Sequence, residues 1–292
     1  MTALPLILAE QRLAEVRGIK GVITGISGVG KTSQLLTLIA ERTLFIDLEA
    51  GDLAIEGWQG DTLRPRTWQE CRDFAVFIGG PNPALRDDQP YSQAHYEAVC
   101  QRYGDRSVLD RYETIFIDSI TVAGRLCFQW SSGQPEAFSE KIGKPDLRGA
   151  YGLHGREMIA WLTHLQHTRA KNVWFVGILE ERFDDFNRRT FQLQIDGSKT
   201  GLELPGIVDE VITMAEVKDE NGTSYRAFIC QTLNPWNYPA KDRSGRLEMI
   251  EEPHLGRLMD KIRGPAKPAT ERMEFGRPAS PVADPSPQAS NT

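Results

Sequence analysis

The sequence is short of cysteine, of long apolar runs and of positive charge, and each shortage removes a class of protein. Its four cysteines, Cys71, Cys100, Cys127 and Cys230, are far apart and form no C-x-x-C pair. That removes a zinc ribbon and a disulfide framework, and it fits a reducing, cytoplasmic setting. No apolar run approaches the roughly 20 residues that span a membrane. The N-terminal "LPLIL" is too short for a signal sequence and lacks a basic flank, so no membrane association is expected. With 34 Lys and Arg against 40 Asp and Glu, the net charge of -6 excludes a wholesale nucleic-acid coat, although a local basic groove is still allowed. No internal repeat is evident.

What is present is ordinary globular material: 292 residues, 40% hydrophobic and 25% charged, enough for a sizeable core. Residues 1–18 hold a short apolar patch and "AEQRLAEVRG", read as one helix. From 19 the order is strand, loop, helix, strand ("IKGVITG", "ISGVGKT", "SQLLTLIAER", "TLFIDLE"), the βαβ alternation of a parallel sheet. Apolar strands are expected again at 113–118 and 172–178, with a helix through "GREMIAWLTHLQH" between them. Continuous apolar strands imply helices on both faces. After 206 the pattern becomes a hairpin, "GIVDEVITMAEV" and "YRAFICQTL" joined across "KDENGTS". The expected fold is α/β, with a mostly parallel sheet and an antiparallel C-terminal extension over 19–263. The Pro-, Ala- and Ser-rich residues 264–292 read as a disordered tail.

"GISGVGKT" fits G-x-x-x-x-G-K-[ST] between a strand and a helix. Gly25, Ile26, Ser27, Gly28, Val29, Gly30, Lys31, Thr32 and Ser33 form the expected phosphate cradle. Glycines let backbone N–H groups turn toward phosphate oxygens, and the helix N-terminus adds positive potential. Lys31 would reach the β and γ phosphates, and Thr32 would hold Mg²⁺. In "TIFIDS" Asp118 ends an apolar strand, where a carboxylate orients that Mg²⁺. ATP and Mg²⁺ are thus the expected ligands.

Carboxylates at the edge of an apolar strand are costly unless they are paired, bonded or used, and "TLFIDLEAGD" (43–52) has three: Asp47, Glu49 and Asp52. Many phosphate-loop proteins place a water-activating glutamate directly after the Mg²⁺ aspartate. Here that position is Ser119, so the base must come from elsewhere, and Glu49 ends the strand that follows the loop.

"FIDLE" followed by "IFIDSIT" resembles the RecA-like ATPases. The strings "TLFIDLEAGD", "GGPNPA", "PYSQAHY", "TIFIDSIT", "LELPGIVDEVI" and "PAKDRSG", spread from about 19 to 260, resemble the phage-encoded branch with a RecA core, which includes single-strand annealing recombinases. The resemblance implies that Glu49 is the general base, and that the protein is an ATPase stimulated by single-stranded DNA in recombination, annealing or replication, within the host cytoplasm. It also implies two DNA loops, at 131–152 and 180–201. In the second, Phe183, Phe186 and Phe191 alternate with Arg182, Arg188, Arg189 and Lys199, but Glu180, Glu181, Asp184, Asp185 and Asp196 share it. A solvated surface loop is the alternative reading. "AKDRSG" resembles the basic segment that RecA-like subunits insert into a neighbour's ATP site, which implies trans roles for Lys241 and Arg243, self-association into a filament or ring, and docking through residues 1–18; a solvent-facing turn is the alternative. A single-strand DNA-binding protein is a further implied partner. Two other functions stay open: an ATP-gated assembly switch without DNA, and a RadA-like branch-migration or helicase motor. His154, His164 and His167 are not expected to bind metal, because no further ligands accompany them.

Overall fold

The computed structural model describes residues 6–139, 143–183, 185–187, 189–265 and 268. A six-residue helix, α1 (Ala9–Ala14), buries nothing. The core then runs β1 (Lys20–Gly25), β2 (Thr43–Asp47), β3 (Asp61–Leu63), α2 (Trp68–Gly79), α3 (Gln93–Tyr103), β4 (Thr114–Asp118), α4 (Ile120–Ser132), α5 (Leu147–Gln166), β5 (Asn172–Phe183), β6 (Arg189–Leu193), α6 (Ser198–Ile207), β7 (Glu210–Lys218), β8 (Ser224–Ile229), β9 (Lys241–Asp242), β10 (Ile250–Glu251) and α7 (Leu255–Ile262).

The strands form one sheet in the order β10-β8-β7-β1-β5-β4-β2-β3, with β6 beside β5 and β9 beside β7. From β7 to β3 every pair is parallel. The β7–β8 hairpin, β9 and β10 add the antiparallel extension. This is a RecA-like α/β arrangement, as expected. β1, β2, β4 and the first half of β5 are buried along their length because alternate side chains enter different cores. Val22, Leu44, Ile46, Ile115, Ile117, Val173 and Phe175 pack with residues of α2, α4 and α5. Ile23, Phe45, Phe116, Trp174 and Val176 pack on the other face with Val29, Leu35 and α7. Parity therefore places Asp47 and Asp118, which are paired in register, on the same face as the phosphate loop.

Two expected elements differ. The helix after the loop is a 3₁₀ turn, Thr32–Thr37, followed by a second short one at Ala40–Arg42. The hydroxyl of Thr37 donates to Gln34 O at 2.7 Å, taking a carbonyl that an α-helix would need. Gln34 is itself committed elsewhere, donating to Pro253 O at 3.1 Å and accepting from Leu255 N at 3.0 Å at the start of α7.

The second difference is in 180–201. Instead of a loop, β5 continues to Phe183 and pairs antiparallel with β6, from Leu179↔Leu193 to Phe183↔Arg189, and α6 follows. Backbone pairing with 189–193, rather than apolar alternation in "LEERF", makes this stretch a strand. In the 131–152 region α4 runs to Ser132, Phe138 bridges Pro145, and α5 starts at Leu147, so most of it is ordered by flanking helices. The 264–292 tail lies almost wholly outside the described residues. Among those described, no helix is long and apolar enough to cross a membrane.

Candidate functional site

The phosphate loop leaves β1 at Gly25 and enters the Thr32–Thr37 turn. Gly28 and Gly30 have φ of 79° and 107°, a region where a side chain is strained. That conformation lets successive N–H groups face one side of the loop, so the cradle fits a polyphosphate. Ile26, Ser27 and Gly28 are exposed on its rim, whereas Val29 is buried in the core beneath. Lys31 is only 7% exposed, and its Nζ donates to Gly25 O at 3.0 Å and Ile26 O at 2.8 Å. Burial lowers its pKa, while Asp118 and Glu49 oppose that shift.

Thr32 Oγ1 donates to Asp118 Oδ2 at 2.6 Å. This hydroxyl–carboxylate pair beside a phosphate cradle has the oxygen donors that Mg²⁺ requires, the remainder coming from phosphate and water. Among the described residues no cluster of three or more His, Cys, Asp or Glu could hold a metal by itself. Asp118, 2% exposed, has its pKa raised to about 6, chiefly by burial and then by the Glu49 carboxylate, with the Thr32 bond and Lys31 pulling the other way. A bound cation would remove that cost.

Glu49 lies just past β2, and it is exposed. Its carboxylate accepts a hydrogen bond from Ser119 Oγ, the residue after Asp118. The fold thus brings the Glu49 carboxylate into contact with the serine that follows Asp118. Ser119 is fully buried and also caps α4 by accepting from Val122 N at 3.3 Å; the peptide between Asp118 and Ser119 is cis. Asp47 sits beneath, accepting from Gly51 N at 3.3 Å and from Arg64 Nε at 3.3 Å. Arg64 also pairs with Asp52. Burial, then Asp52, raises the Asp47 pKa. The three acids of 43–52 are therefore one arch, with Asp47 and Arg64 fixing its base and Glu49 at its open side.

Lys241 and Arg243 are not brought to this loop. Lys241 pairs with Val211 of β7, which pairs with Val22 of β1, so the segment stands toward the other end of the strands, with Lys241 about 10 Å along β1 from Gly25 at the usual rise. Lys241 Nζ donates to Pro205 O (2.5 Å) and Val208 O (2.8 Å), capping the C-terminal end of α6. Arg243 pairs with Asp209 at 2.8 Å.

Of the residues expected to bind DNA, Arg182, Phe186 and Arg189 lie on the β5–β6 hairpin and Lys199 in the first turn of α6. Arg182 pairs with Glu180 (3.1 Å) and Arg189 with Glu181 (2.9 Å), and Arg189 also lies over the Phe191 ring. Phe183 and Phe186 are 63% and 79% exposed. Lys199 is exposed in α6; Arg188 lies outside the described residues. A cavity of about 670 Å³ between residues 79–91 and α5 is lined by none of the phosphate-loop residues.

Three residues that shape the site are given no role by the sequence alone. Ser119 looked like a missing acid, although "DS" before an apolar helix is a visible cap signal. Arg64 carried no signal, since its link to Asp47 depends on the three-residue strand β3. Gln34 was hidden inside a stretch read as a plain helix.

No curated protein matches the chain significantly in sequence. Two solved structures resemble it weakly: the RadB recombinase, at 9% identity over 73% of this chain and 88% of that one with a TM-score of 0.32, and a prototypical ATPase from the type III secretion system of pathogenic bacteria, at 16% identity over 68% and 52% with a TM-score of 0.36. Neither likeness carries weight in the assignment, which rests on the loop, the sheet order and a family match. That match, to the family described as an AAA domain, extends over residues 17–244, from the residues before β1 to the turn after β9, and on it the chain belongs to the AAA domain family of P-loop ATPases.

Proposed function

We propose that the protein binds and hydrolyses ATP with Mg²⁺ at the phosphate loop, with Glu49 as general base, and couples this cycle to single-stranded DNA in recombination, annealing or replication. The phage setting is carried by sequence resemblance alone. The observation behind the catalytic part is the Ser119–Glu49 hydrogen bond, which holds a carboxylate beside the Thr32–Asp118 pair. When bound, Mg²⁺ neutralises phosphate charge. Thr32 and Asp118 would hold it, Lys31 would exchange the Gly25 and Ile26 carbonyls for phosphate oxygens, and Glu49 would orient a water and accept its proton. Such a base needs an accessible face, and Glu49 has one.

The DNA part is supported by Phe183 and Phe186, whose exposure suits stacking worth about 1–3 kcal/mol per base. Arg182 and Arg189 are held by glutamates, but exposed pairs are worth at most about 1 kcal/mol and can yield to phosphate. Those same pairs favour the second reading, an ATP-gated assembly protein that does not engage DNA. Self-association draws on the exposed Leu6, Ile7 and Leu8 as a docking segment. It draws also on the position of Arg243, which a subunit presenting that end of its sheet would place against a neighbour's nucleotide; Lys241 would support the same turn.

Fluorescence anisotropy of a labelled single strand, with ATP, ADP or no nucleotide, separates the two readings. ATP-dependent binding that weakens about tenfold in a Phe183→Ala, Phe186→Ala double variant supports the DNA reading. Absence of binding in every state, together with ATP-dependent assembly by light scattering, would replace it with the switch.

A further inference from the structure

The β7–β8 ribbon runs past the end of β1. Thr24 is level with Thr213, so Met214 stands beside the start of the phosphate loop. Glu216, with Arg226 opposite it in β8, lies two residues further on, about 7 Å by ordinary strand rise. Alternation gives Arg226 the same face as Phe228, which packs with Val29 and Leu35 under the loop. The side chain arches over Gly30: a methyl group there would stand 3.2 Å from Met214 Cε and 3.5 Å from Arg226 Nη1. Arg226 is exposed. It makes no hydrogen bond or ion pair with any described residue, the cross-strand Glu216 included.

An unengaged guanidinium above the last glycine of a phosphate cradle has one evident chemical complement. We infer that Arg226 is a phosphate ligand supplied within the same subunit, its guanidinium moving from above Gly30 onto the phosphate chain of the bound nucleotide. The planar fork suits two phosphate oxygens at once, which an ammonium cannot reproduce. No carboxylate has to be released first. The assignment rests on the reading that the loop binds ATP. It differs from a cation donated by a neighbour, because a monomer already carries it. It also gives the β7–β8 extension a purpose beyond closing the sheet: the extension's length and register set where the guanidinium sits.

The test is equilibrium binding of ATP and of ADP by calorimetry to wild type, Arg226→Ala, Arg226→Lys and Lys31→Ala, with the nucleotide-free melting temperature of each. Because Gly30 belongs to the part of the loop that cradles the α and β phosphates, Arg226→Ala should weaken ATP and ADP alike by about 10- to 100-fold. Arg226→Lys should recover part of the loss, and neither variant should shift the melting temperature, since the side chain has no partner in the fold. If Arg226→Ala binds both nucleotides within twofold of wild type while Lys31→Ala does not bind, the inference is wrong and the ATP site stands. If Lys31→Ala binds as wild type does, the ATP site itself is wrong.

Discussion

Replacing Ser119 with alanine isolates what the hydrogen bond to Glu49 contributes. The hydroxyl has two partners: it accepts from Val122 N as the cap of α4 and donates to the Glu49 carboxylate. Losing the cap costs about 1 kcal/mol of stability, which for a domain of this size lowers the melting temperature by roughly 2–4 °C. Losing the second bond frees an exposed carboxylate, so its cost falls on positioning. A hydrogen bond to a charged group is worth about 1.5–3 kcal/mol when sheltered, and the exposure of Glu49 argues for the low end. About 1.4 kcal/mol is tenfold in rate, so kcat should drop about tenfold with ATP affinity unchanged. Single-turnover hydrolysis in a double-mutant cycle with Glu49→Gln is the deciding assay. If Ser119 acts through Glu49, the serine change adds nothing further to the rate in the glutamine background, while the loss in melting temperature persists in both. An equal tenfold loss in the two backgrounds, or no loss in either, would refute the positioning argument.

Two further outcomes follow from buried polar groups. Glu210 is 1% exposed, and burial, then Asp242, raises its pKa from 4.5 to about 8. The folded protein keeps a proton that the unfolded chain has lost between those values, so this group's contribution to stability is greatest below the lower one and falls as pH rises to the upper one. Across pH 5 to 8, urea unfolding should show a decline of a few kcal/mol from this group, and Glu210→Gln should remove it; parallel curves for the two proteins would contradict this. Gln34 holds the start of α7 through both ends of its amide. Gln34→Ala strands the buried Leu255 N–H and should cost about 1–3 kcal/mol, with faster amide exchange across Leu255–Ile262; unchanged exchange would mean that α7 is anchored by packing alone.

The loop and the strands bearing Asp47 and Asp118 were legible because their signals are local: glycine spacing, apolar runs and a carboxylate at each strand end. Strand parity then follows, since Phe45 and Phe116 belong to one core and Leu44 and Ile115 to the other. What was not legible depends on long-range pairing. Nothing near Arg64 announces Asp47, seventeen residues away, and nothing near Arg226 announces Gly30, because that approach is set by the register of β7 against both β1 and β8. The 3₁₀ turn escaped a periodicity reading because apolar spacing does not register a hydroxyl that takes a backbone carbonyl. The hairpin at 179–193 was read as a loop because its charged strands bury little, so no core pattern marked them.

The most direct test of the account is ATP binding and ATP turnover measured together on Glu49→Gln. Nucleotide affinity should stay close to wild type, since Lys31, Thr32 and the glycine cradle are untouched, with turnover reduced by at least a hundredfold, the lower range for a lost general base. Turnover within twofold of wild type would show that another group activates the water, and that the carboxylate arch of 43–52 serves only to shape the loop.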